Sequence, residues 1–228
     1  MNPILAAVAL VVVAGTVVAV AFRDPRVAIL GLAVVLIGSP VLTDPLPAVL
    51  GLAGRFVGAI LAAYLLWIAV RDRNRIQGST AVTGGSRIGW PAEALMAASA
   101  FVVGLAAHGL GAPALGSPLS SAAGFAVAAL AVSATMTGSD VARVGIGSLL
   151  LLDGALLVRA GLGGTPDQLE QLITTGMLIV VAASVAALIR AAISDGTGGF
   201  GFSVEGSRRR RREPDAHPIE PRVSDLLR

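Results

Sequence analysis

The chain has 228 residues, 55% of them hydrophobic and only 14% charged, which is outside the usual range of soluble domains. It contains no cysteine, so disulfides, thiolate metal sites and cysteine nucleophiles are excluded. All 17 basic residues are arginine, but the formal net charge is only +3, so the high isoelectric point does not indicate nucleic-acid binding. The apolar residues come in long blocks, a pattern typical of a protein that crosses a membrane several times.

Seven apolar segments reach or approach the length of about 20 residues that a helix needs to cross a bilayer. In chain order they are residues 3–22, 27–43, 46–70, 92–111, 119–138, 144–162 and 169–193. The break at 43–47 is only a tight turn, so we expect the second and third spans to form a helical hairpin. The predicted fold class is all-α, a polytopic transmembrane bundle of about seven spans.

The arginines predict the orientation of these spans. They occur in the segments that follow spans one, three, five and seven, at 23–26, 71–87, 139–143 and 207–213. The other connections contain none, at 43–47, 111–118 and 163–170. The positive-inside rule then places the N-terminus outside and the C-terminus inside the cell. The first segment lacks the positive region of a secretory signal, so we expect it to remain as a span.

The chain divides into four predicted regions. They are a three-span unit (1–76), a cytoplasmic loop (77–91), a four-span unit (92–194) and a disordered basic tail (195–228). The tail contains five consecutive arginines, Arg208, Arg209, Arg210, Arg211 and Arg212. Two interpretations stay open: contact with anionic lipid headgroups, or an orientation signal only, which the positive-inside rule favours. No aromatic residues interleave this run, so we do not expect nucleic-acid binding.

Two ionisable residues interrupt the apolar spans near mid-membrane, Asp153 in span six and Arg55 in span three. An aspartate at the bilayer centre costs roughly 2.5–3.5 kcal/mol, and its side chain is too short to reach the interface. A partner of opposite charge at equal depth lowers that cost, so we expect Asp153 to face the protein interior, within reach of Arg55 or of a shared polar cavity. Such a pair belongs either to an ion or proton path or to a structural contact, and the sequence leaves both open.

Three further ionisable residues lie closer to the predicted interfaces. Arg159 is near the outer end of span six, from where its long side chain can reach the headgroups. Glu93 begins span four on the cytoplasmic side, and His108 ends it on the outer side. We expect interfacial solvation for Glu93 and His108, with a role in a proton relay as the alternative.

Small residues predict close helix packing. Gly51, Gly54 and Gly58 lie near Arg55, and Gly147 and Gly154 lie near Asp153, so a second helix can approach closely at both places.

No enzyme signature is present in the sequence: it has no phosphate loop, no HExxH motif, no serine elbow and no paired carboxylates. We therefore expect no catalytic, cofactor or metal site, and no enzyme activity by the chain alone.

Residues 119–194 resemble a family of small membrane subunits. An R-x-x-x-G opening at 143–147, the polar Asp153 in the following helix, and a T-P-D loop at 165–167 are similar to the three-helix K-type subunit of NADH–quinone oxidoreductase. The related C-type subunit of Mrp Na⁺/H⁺ antiporters and the E component of group-4 hydrogenases share this pattern. Leu149 stands where the family has a glutamate, and the family's second glutamate has no counterpart in 179–187. Residues 23–25 are similar to a turn in the J-type subunit.

The resemblance implies an accessory subunit of an ion-translocating assembly in the cell membrane. In bacteria that have two membranes, this is the inner one. Its partners would be larger integral membrane subunits, and it would be a non-catalytic part of an oxidoreductase or antiporter complex. It would bind no cofactor and contribute packing and polar residues to an H⁺ or Na⁺ path. A stand-alone small transporter and a purely structural membrane scaffold are the alternatives.

Overall fold

The computed structural model describes residues 2–44, 46–77, 89–110, 114–138 and 140–194. All regular structure in these residues is helical. The helices are α1 (Pro3–Ala21), α2 (Pro25–Gly38), α3 (Val49–Gln77), α4 (Trp90–Ala107), α5 (Pro118–Thr137), α6 (Val141–Gly163) and α7 (Gln168–Ser194), and a 3₁₀ turn (Ser39–Leu42) extends α2. Within this described part, seven helices are long and apolar enough to cross a membrane. The prediction of a seven-span, all-helical membrane protein is confirmed at that level.

Aspartates in the arginine-containing turns begin two of the helices. The side chain of Asp24 accepts a hydrogen bond from the amide of Arg26 over 2.9 Å, and Asp140 accepts one from Ala142 over 3.4 Å. Each satisfies a backbone donor that has no partner within its own helix. At the other end of α6, Gly164 has a φ of +80°, a conformation that glycine adopts without strain.

The third helix is longer than the sequence predicted. The segment 71–75, expected as a loop, forms the last turns of α3. This difference has a physical reason, because ion pairs anchor these turns to other helices. Arg73 lies 2.7 Å from Asp140, and Asp72 lies 3.7 Å from Arg190. The predicted disordered tail (195–228) and most of the predicted loop (78–88) lie outside the described residues.

Helices α5 and α6 form the centre of the bundle. Buried residues make up 61% of the membrane segment of α5 and 56% of that of α6, against 17% for α4. The two central helices approach closely because Gly124 and Gly154 face each other across the contact. A Cβ atom on Gly154 would lie 2.9 Å from the amide nitrogen of Ala128. The core is therefore built around a seam of small residues.

The remaining helices pack around this centre. Helix α1 contacts α2, α4 and α5, while α3 packs mainly along α7 and also along α2, as the predicted hairpin requires. Gln171 and Thr175 of α7 lie against Gly51 and Gly58, whereas Gly54 faces open space. We call the end where α1, α3, α5 and α7 finish the arginine end, and the opposite end the distal end.

Candidate functional site

A buried aspartate in α6 is paired with an arginine from α3 and a serine from the turn after α2. The Nη2 atom of Arg55 lies 3.1 Å from Oδ1 of Asp153. The hydroxyl of Ser39 donates a hydrogen bond to the same oxygen over 2.9 Å. Asp153 is fully buried, and 14% of the Arg55 side chain is exposed. The predicted contact between Arg55 and Asp153 is thus present, and we call these three residues the charged node.

Helix geometry places the charged node in the distal half of the bundle. About 15 Å of helix separates Asp153 from the last residue of α6, at 1.5 Å per residue. Arg55 lies about 9 Å from the first residue of α3 by the same measure. Both residues are therefore well inside their spans.

Ser39 was not predicted as a site residue. It lies at the end of α2 and is buried, with only 1% of its surface exposed. Pro40 has no amide hydrogen to continue the α-helical pattern, and the chain turns into a 3₁₀ helix there. The available signal was a hydroxyl between Gly38 and Pro40 in an otherwise apolar segment.

The charged node is balanced in charge but not fully hydrogen bonded. Among the described residues, Oδ2 of Asp153 has no hydrogen-bond partner. Burying two charges carries a large desolvation cost, which their attraction and the hydrogen bond from Ser39 partly offset. The free carboxylate oxygen can accept a further hydrogen bond or a proton.

A small cavity reaches the charged node from the distal end. It has a volume of about 30 Å³, enough for about two water molecules. The polar residues in its lining are Ser39 and Arg55 of the node, together with Thr43, Arg159, Glu170, Gln171 and Thr174. We call this space the distal cavity.

Arg159 lies at the wall of the distal cavity and has an ion-pair partner. Its Nε atom is 2.7 Å from Oε1 of Glu170, and its Nη2 atom donates to Oε2 over 2.9 Å. Both side chains are partly exposed, 46% for Arg159 and 32% for Glu170. The location of Arg159 at the distal end agrees with the sequence, but the pairing with Glu170 was not predicted.

The expectation that Glu93 is solvated at the interface was wrong. Glu93 is completely buried, and neither of its carboxylate oxygens has a hydrogen-bond partner among the described residues. Its nearest charge is Arg143 of α6, whose Nη2 atom lies 3.6 Å away and donates to the carbonyl of Val20 over 3.0 Å. The reason is packing, because the first turn of α4 lies against other helices and Arg143 contacts the carboxylate there.

Glu93 belongs to a group of four charged residues at the arginine end. Arg73 donates two hydrogen bonds to Asp140, over 2.7 and 2.8 Å, and Asp140 precedes Arg143 by one helical turn. This group connects the ends of α3, α4 and α6. We call Arg73, Glu93, Asp140 and Arg143 the arginine-end cluster.

His108 lies just after the end of α4 and is half-buried. Its Nδ1 atom is 3.3 Å from the hydroxyl of Ser121 on α5. It is not in the charged node or the arginine-end cluster. In the part of the chain that the structure describes, no group of three histidine or acidic side chains is arranged to hold a metal ion.

Apolar side chains separate the charged node from the arginine-end cluster. They come from three helices, have exposures of 2% or less, and lie about one to two turns beyond the node. We call them the apolar layer: Leu32, Leu36, Ala59, Leu149 and Leu150. The polar surroundings of the node are therefore on its distal side.

Comparisons of the chain with protein-family models, with curated proteins and with solved structures gave no match.

Proposed function

We propose that the protein is an accessory integral membrane subunit of an ion-translocating assembly of the complex I, Mrp antiporter or membrane hydrogenase kind. The observation that carries this proposal is the charged node of Ser39, Arg55 and Asp153, buried within the spans at the inner end of the distal cavity. Ionisable residues in membrane spans are costly, and they commonly mark ion paths or proton relays. The chain would bind no redox cofactor and would have no enzyme activity alone.

The proposed orientation has the arginine end in the cytoplasm and the distal end outside the cell membrane. Its support is the distribution of arginine, since Arg23, Arg26, Arg73, Arg143 and Arg190 all lie at or near one end of the helices. In this orientation the distal cavity opens to the exterior, and the arginine-end cluster lies near the cytoplasmic surface. The basic tail would follow α7 into the cytoplasm.

A structural role is the second candidate, and one observation favours it. Both mid-span charges, Arg55 and Asp153, are paired with each other inside the chain. Such a pair can fix the packing of α3 against α6 without carrying ions. The two functions predict different results when the negative charge of Asp153 is removed and the size of its side chain is kept. Removal of the charge should stop ion translocation in the first case and weaken the assembly in the second.

The decisive experiment replaces Asp153 in the native membrane. Asp153→Asn retains the size and one hydrogen-bonding oxygen of the side chain. We expect the variant protein to remain in its assembly, as judged by native gel electrophoresis, while ion translocation in membrane vesicles falls at least tenfold. Glu170→Gln is the matched control, because it removes a carboxylate of a partly exposed pair at the wall of the same cavity. Loss of assembly with Asp153→Asn would favour the structural role, and unchanged translocation would exclude the ion-path role.

A further inference from the structure

The walls of the bundle differ sharply on the two sides of the charged node. Toward the distal end, the distal cavity carries the hydroxyls of Thr43 and Thr174 and the charged groups of Arg159 and Glu170. Toward the arginine end, the apolar layer fills the space next to the node. Water that enters from the distal end can therefore reach Ser39 and Arg55, whereas the buried side chains of the apolar layer offer it no hydrogen-bond partner.

Ser39 joins the distal cavity to the buried acid. It lines the cavity, and its hydroxyl donates directly to Oδ1 of Asp153 over 2.9 Å. Asp153 itself is fully buried and does not line the cavity. A proton can nevertheless pass between them, because a hydroxyl both donates and accepts hydrogen bonds.

The charge at the node favours a proton over a metal cation. Arg55 already lies 3.1 Å from the carboxylate of Asp153, so the node has no net negative charge to hold Na⁺. A hard cation would also need several oxygen ligands around it, and the guanidinium occupies one side of this carboxylate. A proton needs only one oxygen and room for water.

We propose that the distal cavity is an aqueous entrance for protons, open only at the distal end and connected to Asp153 by the Ser39 hydroxyl. A hydronium ion in the cavity gives its proton to Oγ of Ser39, and the original hydroxyl proton of Ser39 moves to Oδ1 of Asp153. One O–H bond forms on Asp153, the bond on Ser39 is broken and re-formed, and water is left in the cavity. No electrons are transferred. The involvement of protons rests on the proposed function, whereas the one-sided entrance does not.

Cysteine labelling tests the entrance without background, because the natural chain has no cysteine. Leu156 lines the distal cavity. Leu152 lies one turn deeper on the same helix and does not line the cavity. Both leucines are half-buried, so Leu156→Cys and Leu152→Cys form a matched pair of variants. The probe is a membrane-impermeant cationic thiosulfonate, applied to the full-length protein in right-side-out and inside-out vesicles. We expect Leu156→Cys to react from one face only, at least tenfold faster than Leu152→Cys from either face.

A reference variant shows which face is which. Arg26→Cys is exposed at the arginine end and should react only from the face opposite to the one that labels Leu156→Cys. Labelling of Leu156→Cys from both faces, from the same face as Arg26→Cys, or from neither face would overturn the entrance. Fast labelling of Leu149→Cys in the apolar layer would overturn the proposal that the distal cavity is closed toward the arginine end. None of these results depends on whether an ion-translocating assembly exists.

The Ser39 connection has its own test in the same vesicles. Ser39→Ala removes the hydroxyl, and Ser39→Thr keeps it. We expect Ser39→Ala to slow proton translocation at least fivefold, Ser39→Thr to restore most of it, and the labelling of Leu156→Cys to stay unchanged in both. Equal translocation in Ser39→Ala and the natural protein would overturn the connection, while a labelling pattern that remains one-sided would still support the entrance.

Discussion

At the scale of single residues, Arg55 and Asp153 are two charges inside the spans that depend on each other. Each charge alone would be left in a low-dielectric environment, where an uncompensated charge is far more costly than a well-packed apolar side chain. Ser39 contributes a direct hydrogen bond to Asp153, so the carboxylate retains one partner even if Arg55 moves. The pair is thus sensitive to loss of either charge but tolerant of losing both.

A pair of single variants and their combination tests this argument. We expect Arg55→Leu and Asp153→Leu each to lower the free energy of unfolding by about 3–5 kcal/mol, because each leaves a buried charge unpaired. The double variant should recover most of the stability that each single variant loses. Thermal unfolding in detergent compares all three variants with the natural protein. Glu170→Gln is the control and should cost about 1 kcal/mol or less, because its pair with Arg159 is partly exposed. Additive losses in the double variant would show that the two residues do not interact.

We expect substitution of Glu93 to have a different effect from substitution of Asp153. Neither oxygen of the buried Glu93 carboxylate has a hydrogen-bond partner among the described residues. Glu93→Gln removes a negative charge whose ion-pair contact is with Arg143, at 3.6 Å. Arg143 still has the negative charge of Asp140 close to it in this variant. We expect a loss of about 1–3 kcal/mol in stability, less than that of Asp153→Leu, because the variant takes away the ion-pair partner of Arg143 without restoring a hydrogen bond. Chemical denaturation of both variants in the same detergent makes the comparison. A larger loss for Glu93→Gln would mean that the arginine-end cluster stabilises the bundle more than the charged node does.

Some of these residues could be predicted from the sequence, and others could not, for physical reasons. The contact between Arg55 and Asp153 follows from their similar depth and opposite charge. Ser39 gives no such signal, since a serine in a span costs little and can bond to its own backbone. The prediction for Glu93 failed because depth in the span was the only guide, and depth does not reveal that the carboxylate is buried beside Arg143.

At the scale of helices, the position of each span was predictable but the pairing of helices was not. Length and apolar content set the spans. The observed helices agree with them to within a few residues, except that α3 continues to Gln77 and α4 already ends at Ala107. The packing of α3 along α7 had no comparable signal. With 28 glycines in the chain, many helix faces are small enough for close contact, and only some are used. Gly54, for example, faces open space in the described structure.

The contact between α5 and α6 is sensitive to added volume. A Cβ atom on Gly124 would lie 2.6 Å from the amide nitrogen of Val158, and one on Gly154 would lie 2.9 Å from that of Ala128. Because these neighbours are backbone atoms that cannot rotate away, we expect Gly124→Ala and Gly154→Ala each to lower stability by about 1–3 kcal/mol. Thermal unfolding in detergent measures the change.

The matched controls for this prediction are Gly54→Ala and Gly176→Ala. Neither position has a neighbouring atom within 4 Å of the added methyl group. Both controls should unfold within a degree or two of the natural protein. If all four alanine variants behave alike, close contact between α5 and α6 does not limit the stability of the bundle.

At the scale of the whole molecule, the orientation of the bundle can be tested directly. We expect a reporter fused after Arg228 to be active only if it functions in the cytoplasm, since the arginine-rich connections lie on the same side as the end of α7. A reporter inserted in the turn 164–167 should show the opposite behaviour and serves as the control. Activity of an exterior-dependent reporter after Arg228 would reverse the proposed orientation, and with it the side on which the distal cavity opens.

Helix α4 is the part of the bundle that a partner subunit would most readily cover. It is the least enclosed of the seven described spans, and a groove of about 550 Å³ lies along its contact with α1. The α4 wall of this groove consists of the small side chains of Ala94, Ala97 and Ala98, followed by the larger Phe101, Val102 and Leu105. Small residues at a helix surface allow another helix to approach closely, which is the main source of helix association in lipid.

A single large side chain should therefore block assembly at this groove. We expect Ala98→Trp to reduce co-purification with larger membrane subunits at least fivefold, because the indole would fill the space that a partner helix needs. Ala183→Trp adds the same side chain to an exposed position on α7 and should leave co-purification unchanged. Native mass spectrometry of the detergent-extracted protein provides the measurement. A stable, active monomer as the only species would refute the subunit proposal itself, whereas equal complexes from both variants would show that partners bind at another face.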